Sequence, residues 1–161
     1  MSRNNRVNWA GFTLIELVVS LAILALISTM AAPMGEVIVQ RNKEQDLRKS
    51  LRQVREAIDA YKQAYDEGHM IKQVDASGYP PTLQMLQDGV DDAKSPTPRK
   101  IFFLRRIPAD PFADPSIPPA ETWGLRSYAS SAQNPSPGDD VYDIYSKSEA
   151  KGLNGVPYKE W

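Results

Sequence analysis

From Leu17 to Met34 the chain carries no charged side chain. With Phe12–Ile15 the apolar run reaches the roughly 20 residues that a helix needs to cross a bilayer. Such a run predicts a helix that no small domain can wrap, and it restricts the fold before any other feature is considered. Arg3 and Arg6 precede it, and no acidic residue occurs before Glu16. That bias in basic residues predicts a cytoplasmic N-terminus, with everything after the helix on the far side of the membrane. Glu16 stands inside the run. A carboxylate at the centre of a membrane helix costs roughly 2.5–3.5 kcal/mol on insertion scales, and such residues usually face a partner or a cavity. The alternative is a place near the interface from which the side chain reaches water.

The string Gly11-Phe12-Thr13-Leu14-Ile15-Glu16-Leu17-Val18-Val19-Ser20-Leu21 resembles the processing and assembly signature of type IV pilins and of their relatives, the pseudopilins of type II secretion. The resemblance implies that a prepilin peptidase cuts after Gly11 and methylates the new N-terminal Phe12. Glu16 then becomes the fifth residue of the mature chain. A secretory signal peptide has its small-residue cleavage site after the apolar core, whereas this glycine precedes it, so the apolar helix stays on the mature protein. The new ammonium on Phe12 of a neighbouring subunit would be the partner of Glu16, and the pair would set the stagger between subunits.

At 161 residues with thirteen prolines, the chain has room for one anchored helix and one modest domain. A net charge of −1 gives no global attraction to nucleic acid or acidic lipid. The chain has no cysteine, so a domain beyond the membrane holds together without the disulfides that compartment allows. Many type IV pilins close a C-terminal loop with a disulfide, and its absence leans the resemblance toward the pseudopilins.

The helical pattern continues past the apolar run. Leu47, Leu51, Val54, Ile58, Tyr61 and Tyr65 recur in steps of four and three, which places them on one stripe, with Lys49, Arg52, Glu56 and Gln63 opposite. Glu44 with Arg48 and Lys62 with Asp66 are expected as exposed pairs one turn apart. Gly68 is the expected stop. A helix from Phe12 to about Glu67 would be on the order of 80 Å long. Pro33 removes a backbone donor near the outer boundary. Two outcomes stay open there: a kink or local melting, eased by Gly35, or an end to the first helix with a second beginning near Glu36. Pilin-like proteins carry a proline at the corresponding place, which makes Pro33 part of the assembly segment.

Beyond Gly68, prolines from Pro80 to Pro137 exclude long helices. A short helix is expected over 81–87 with Leu83 and Leu86 inward, and strands over 126–130 and 140–147. A small antiparallel sheet packed on the Leu47–Tyr65 stripe is the economical arrangement. The predicted fold is therefore α+β and pilin-like: a leader at 1–11, a transmembrane helix at 12–34, its amphipathic continuation at 35–67, and a globular region at 68–161. Tyr79-Pro80-Pro81-Thr82-Leu83, Leu104 to Phe112 and Tyr142-Asp143-Ile144-Tyr145-Ser146 resemble the ordered landmarks of the major pseudopilin. Inserted stretches over 115–123 and 133–139 depart from its spacing.

That relative usually ends in a calcium-binding loop rich in glycine and aspartate. Here Glu149 is the single acid between Ser146 and Gly155, with Lys147 and Lys151 beside it, too few oxygens for calcium. Closure by Val156, Tyr158 and Trp161 is expected instead, and no cofactor or metal is assigned. Asp139, Asp140 and Asp143 are read as solvent-facing. His69, the one histidine, has no local support for catalysis, and no phosphate-binding glycine loop occurs. The chain is not read as an enzyme.

Arg99-Lys100-Ile101-Phe102-Phe103-Leu104-Arg105-Arg106 mixes basic and aromatic residues as nucleic-acid grips do. The favoured reading packs Phe102, Phe103 and Leu104 under the sheet and assigns no nucleic-acid partner. The sequence thus points to a subunit of a type II secretion pseudopilus with these partners: copies of itself in a helical filament, other pseudopilins, prepilin peptidase, and an inner-membrane assembly platform with a separate ATPase. It would be held in the inner membrane with its C-terminal domain in the periplasm. The alternatives are a minor type IV pilus subunit for motility, adhesion or DNA uptake and, more distantly, a periplasmic domain that only borrows the anchor.

Overall fold

A computed structural model describes residues 11–72 and 76–161, with the side chains of 29–34 outside that description. The leader expected at 1–11 therefore lies outside the described residues except for Gly11. The chain divides into two compact units, Met1–Val39 and Gln40–Trp161. Helix α1, Leu14–Asp66, contributes to both. It contains Pro33 without ending there, so the expectation of a second helix starting near Glu36 is set aside. A proline removes one hydrogen bond, and the flanking turns carry the helix through.

In the first unit every described side chain from Gly11 to Ser28 is exposed. The hydroxyls of Ser20 and Ser28 donate to the carbonyls of Glu16 at 2.7 Å and Leu24 at 2.8 Å, so the helix satisfies these two hydroxyls itself. Among the described residues no helix is long and apolar enough to cross a membrane. The apolar run read from the sequence extends into 29–34, outside the described side chains.

The second unit is built on the later part of α1. Leu47, Leu51, Val54, Ile58 and Tyr61 are all buried, as the stripe requires, and Tyr65 packs at its edge. Lys62 pairs with Asp66 at 2.6 Å as expected, which raises the lysine pKa through the hydrogen bond. The helix ends as Gly68 predicts. Gly68 has φ +83°, its N–H donates to Tyr65 O at 3.0 Å, and the His69 N–H donates to Ala64 O at 2.9 Å. This is the Schellman closure that favours glycine.

Around this stripe lie short pieces. Helix α2, Gln84–Asp88, follows Leu83, and both Leu83 and Leu86 are buried. Strands β1, Val90–Asp91, and β2, Lys100–Ile101, form one antiparallel ribbon; β3, Trp123–Arg126, and β4, Asp143–Ser146, form a second, with Leu125 opposite Ile144. The antiparallel pairing expected between 126–130 and 140–147 is present as β3–β4, but the strand limits are corrected. Residues 127–130 turn away, because Ser127 N bonds Ser136 O and Ser130 N bonds Ser127 O, and the first strand begins earlier, at the buried Trp123. Val141 is also buried, in the same core as Ile144; its N–H bonds Pro80 O outside β4.

Two predictions follow from the end of α1. Gly68→Ala should cost about 1 kcal/mol, since alanine is strained at positive φ, read as a lowered thermal midpoint in detergent. His69 Nδ1 lies 2.9 Å from Asp92 Oδ1, and that hydrogen bond, helped by the Lys94 N–H, lowers the Asp92 pKa. A depressed carboxyl stabilises above its unfolded value, and the contribution is lost as pH falls through the folded value. Asp92→Asn should therefore flatten part of the loss of thermal midpoint below about pH 4.

Candidate functional site

The residues singled out for processing and assembly fall at the start of α1. Gly11 has open space around its Cα, and Phe12 is 75% exposed. Thr13 Oγ1 accepts from Glu16 N at 3.3 Å, which satisfies one of the free donors of the first turn. The Glu16 carboxylate has no hydrogen-bond or ion-pair partner among the described residues. The side chain of Pro33 lies outside them.

From Leu14 to Ile27 ten large aliphatic side chains are 49–81% exposed. Full burial of each is worth about 1.5–3 kcal/mol, and whole domains are stable by only about 5–15 kcal/mol. An apolar surface of that size does not remain in water. Lipid or other protein copies must cover it, and Glu16 is the one ionisable group on it.

The second unit is fastened by buried charges that the sequence reading missed. Glu44 was expected to pair with Arg48 on an exposed face; instead it is 6% exposed. Its Oε1 accepts from Leu153 N at 2.7 Å, from Tyr158 Oη at 3.1 Å and from Gln40 Nε2 at 3.4 Å. Arg48 lies over the Trp161 ring, 4.4 Å from its centroid. The missed signal was spacing: Glu44 stands three residues before Leu47, on the apolar stripe itself. Burial, the first of several influences, raises the Tyr158 pKa, which keeps that hydroxyl a donor. Of the three side chains expected to close this end, Tyr158 is buried, Trp161 is half-buried against it, and Val156 is exposed. Glu44 supplies the remaining closure.

Arg55 makes a second tie. It donates to Asp143 at 2.7 Å, to Ile144 O at 3.1 Å and to Trp161 O at 2.9 Å, joining α1 to β4 and to the end of the chain. Asp143 also faces Arg126 at 3.7 Å, and Asp140 Oδ1 accepts from Tyr128 N at 2.8 Å. Of the three aspartates read as solvent-facing, only Asp139 is left without a partner among the described residues. No group of acids and histidine suited to a metal ion occurs among those residues.

Asp110 makes a third. It is 4% exposed, accepts from Ser146 Oγ at 2.5 Å and Phe112 N at 2.8 Å, and its own N–H donates to Thr122 Oγ1 at 3.0 Å. With the Val141–Pro80 bond, this brings together the three landmark segments that begin at Tyr79, Leu104 and Tyr142. In the basic segment Leu104 is buried and Phe103 packs on Tyr61 with ring centroids 5.3 Å apart. Phe102 departs from its expected place under the sheet: it folds over Gly89 and stays 63% exposed.

A long helix with an exposed apolar face and one carboxylate, followed by small antiparallel sheets, is an α+β, pilin-like arrangement. Residues 10–32 match the family described as the prokaryotic N-terminal methylation motif, the signature of type IV pilins and pseudopilins. The motif indicates a type IV pilin-like protein whose precursor is processed by prepilin peptidase and assembled into a filament. Neither a curated protein nor a solved structure matches the chain.

Glu44→Ala should cost about 2 kcal/mol, since it strands the Tyr158 hydroxyl and the Leu153 N–H. The check is chemical denaturation together with faster proteolysis near residues 148–156. Equal protection in the variant would remove Glu44 as the fastener of that loop.

Proposed function

We propose that this chain is a structural subunit of a type II secretion pseudopilus, stored in the inner membrane with the 40–161 unit in the periplasm and drawn into a short helical filament that drives export across the outer membrane. The observation that carries the reading is the apolar face of α1 with Glu16 as its one ionisable group, within the methylation motif. Residues 12–34 would span the membrane before assembly and form the filament core after it. Cleavage after Gly11 would free the Phe12 amine, which would be methylated. Glu16 of one subunit would meet that amine on its neighbour, and Pro33 would give the helix a joint at the outer boundary.

The choice of pseudopilus over pilus rests on the three landmark segments. Leu83, Leu104, Ile107 and Ile144 share one buried core, and Ser146 bonds Asp110, which supports treating the segments as a set. The partners would be other pseudopilins, the peptidase, and an assembly platform driven by a separate ATPase. Neither catalysis nor a nucleic-acid partner belongs to this reading. A minor type IV pilus subunit is the second reading, resting on the same N-terminal motif.

The deciding measurement is the protein content of the culture medium from a deletion strain and its parent, with surface pili and DNA uptake scored alongside. Loss of specific secreted proteins with pili intact is expected; intact secretion with lost pili or uptake would move the chain to the pilus. Glu16→Val should still insert in the membrane while filament recovery falls about tenfold or more, because breaking a charge pair away from water costs several kcal/mol. Wild-type yield from that variant would remove the registry role.

A further inference from the structure

The 40–161 unit carries a cleft of about 910 Å3 against residues 45–55 of α1. Leu51, Val156 and Trp161 give it an apolar lining, and Arg48, Lys49 and Arg52 outnumber the acids Asp46 and Glu160 around it. Arg48 is engaged with Trp161. Lys49 and Arg52 are exposed and make no ion pair or hydrogen bond among the described residues. The cleft therefore offers unpaired positive charge beside an apolar surface, a match for an aromatic side chain flanked by a carboxylate.

The same unit presents such a feature elsewhere. Tyr128 is 64% exposed although it stacks on Tyr79 at 5.7 Å and meets Tyr142 edge-on at 5.5 Å. The two neighbours hold its ring in place while most of its surface stays open to solvent. Asp139 and Asp140 line the same shallow hollow as Tyr128; Asp140 is spent on the Tyr128 N–H, and Asp139 is exposed without a partner among the described residues. The other prominent apolar projections suit the cleft less well. Ile71 adjoins Lys72, and Phe102 lies among Arg99, Lys100, Arg105 and Arg106, so a basic cleft would repel both.

The geometry points to a contact between copies in which Tyr128 and Asp139 of one subunit enter the Arg48–Arg52 cleft of the next. This deepens the filament reading and rests on it. Tyr79 packs beside Lys62, roughly 15 Å along α1 from Arg52, so the two surfaces are distinct patches. A contact between different patches is heterologous and propagates into an open helix when its rotation does not close. A charged contact of this kind fixes which copies meet and in what register, since like charges brought together cost several kcal/mol.

The absence of cysteine makes the test direct. Full-length Arg52→Cys and Asp139→Cys variants, each exposed and unpartnered positions, would be produced singly and together, and sheared filaments oxidised. Mixed filaments should give a disulfide-linked dimer that neither variant gives alone. In parallel, Arg52→Glu and Asp139→Lys should each reduce filament yield about tenfold, and the two reversals in one chain should restore most of it. Wild-type yield from both single reversals, or no mixed dimer in intact filaments, overturns this contact and leaves the filament reading standing. Failure of the unaltered chain to form filaments overturns both.

Discussion

The later part of α1 offers one buried stripe, from Leu47 to Tyr61, and everything else in the 40–161 unit is organised by the need to cover it. Neither ribbon is stable alone, because a two-stranded hairpin is marginal in water. The four strands comprise two of two residues and two of four, so backbone ladders contribute little of the architecture. Leu83, Leu86, Leu104, Ile107, Trp123, Val141 and Ile144 are buried in one core with the stripe. The helix is the template, and the short pieces are ordered by packing on it.

A core covered by loops raises a second problem, since buried loops carry backbone groups that must find partners. The chain answers with charged side chains. Glu44 takes a backbone N–H from the 151–156 loop, Arg55 caps carbonyls of β4 and of Trp161, and Asp110 takes the N–H of Phe112 while gripping Ser146. Each gives bonds to several groups at once, so removal of one strands more than one partner. This is how a proline-rich domain without disulfides stays closed at its ends.

The stripe, the stop at Gly68 and a short helix around Leu86, expected over 81–87 and found at Gln84–Asp88, were legible because each depends on local rules: a helical period, positive φ, and proline punctuation. The strands were misplaced because their limits are set by non-local bonds, such as Val141 N to Pro80 O and Ser127 N to Ser136 O, which no periodicity within the segment encodes. Glu44 was legible in position but not in role. Its spacing from Leu47 put it on the buried face, while an acid four residues before Arg48 suggested an exposed pair, and the need of the Leu153 N–H and Tyr158 hydroxyl donors for an acceptor decided between them. At the N-terminus the motif was legible because it is itself a run of consecutive residues, matched over 10–32.

The two parts of α1 use ionisable groups on an apolar face toward different ends. Glu44 finds its donors within its own chain, and the result is a closed domain. Glu16 finds none among the described residues, and the apolar side chains around it are equally without cover. Aliphatic surfaces slide past one another with little preference, because dispersion and burial are non-directional. A lone charge changes that: every stagger that leaves Glu16 without a cation at its own depth carries the cost of an unpaired carboxylate, and staggers that supply one do not. On the proposed reading the apolar face supplies the affinity between subunits, and Glu16 selects one axial offset among many of similar burial, just as a single polar residue fixes register in a coiled coil at some expense of stability.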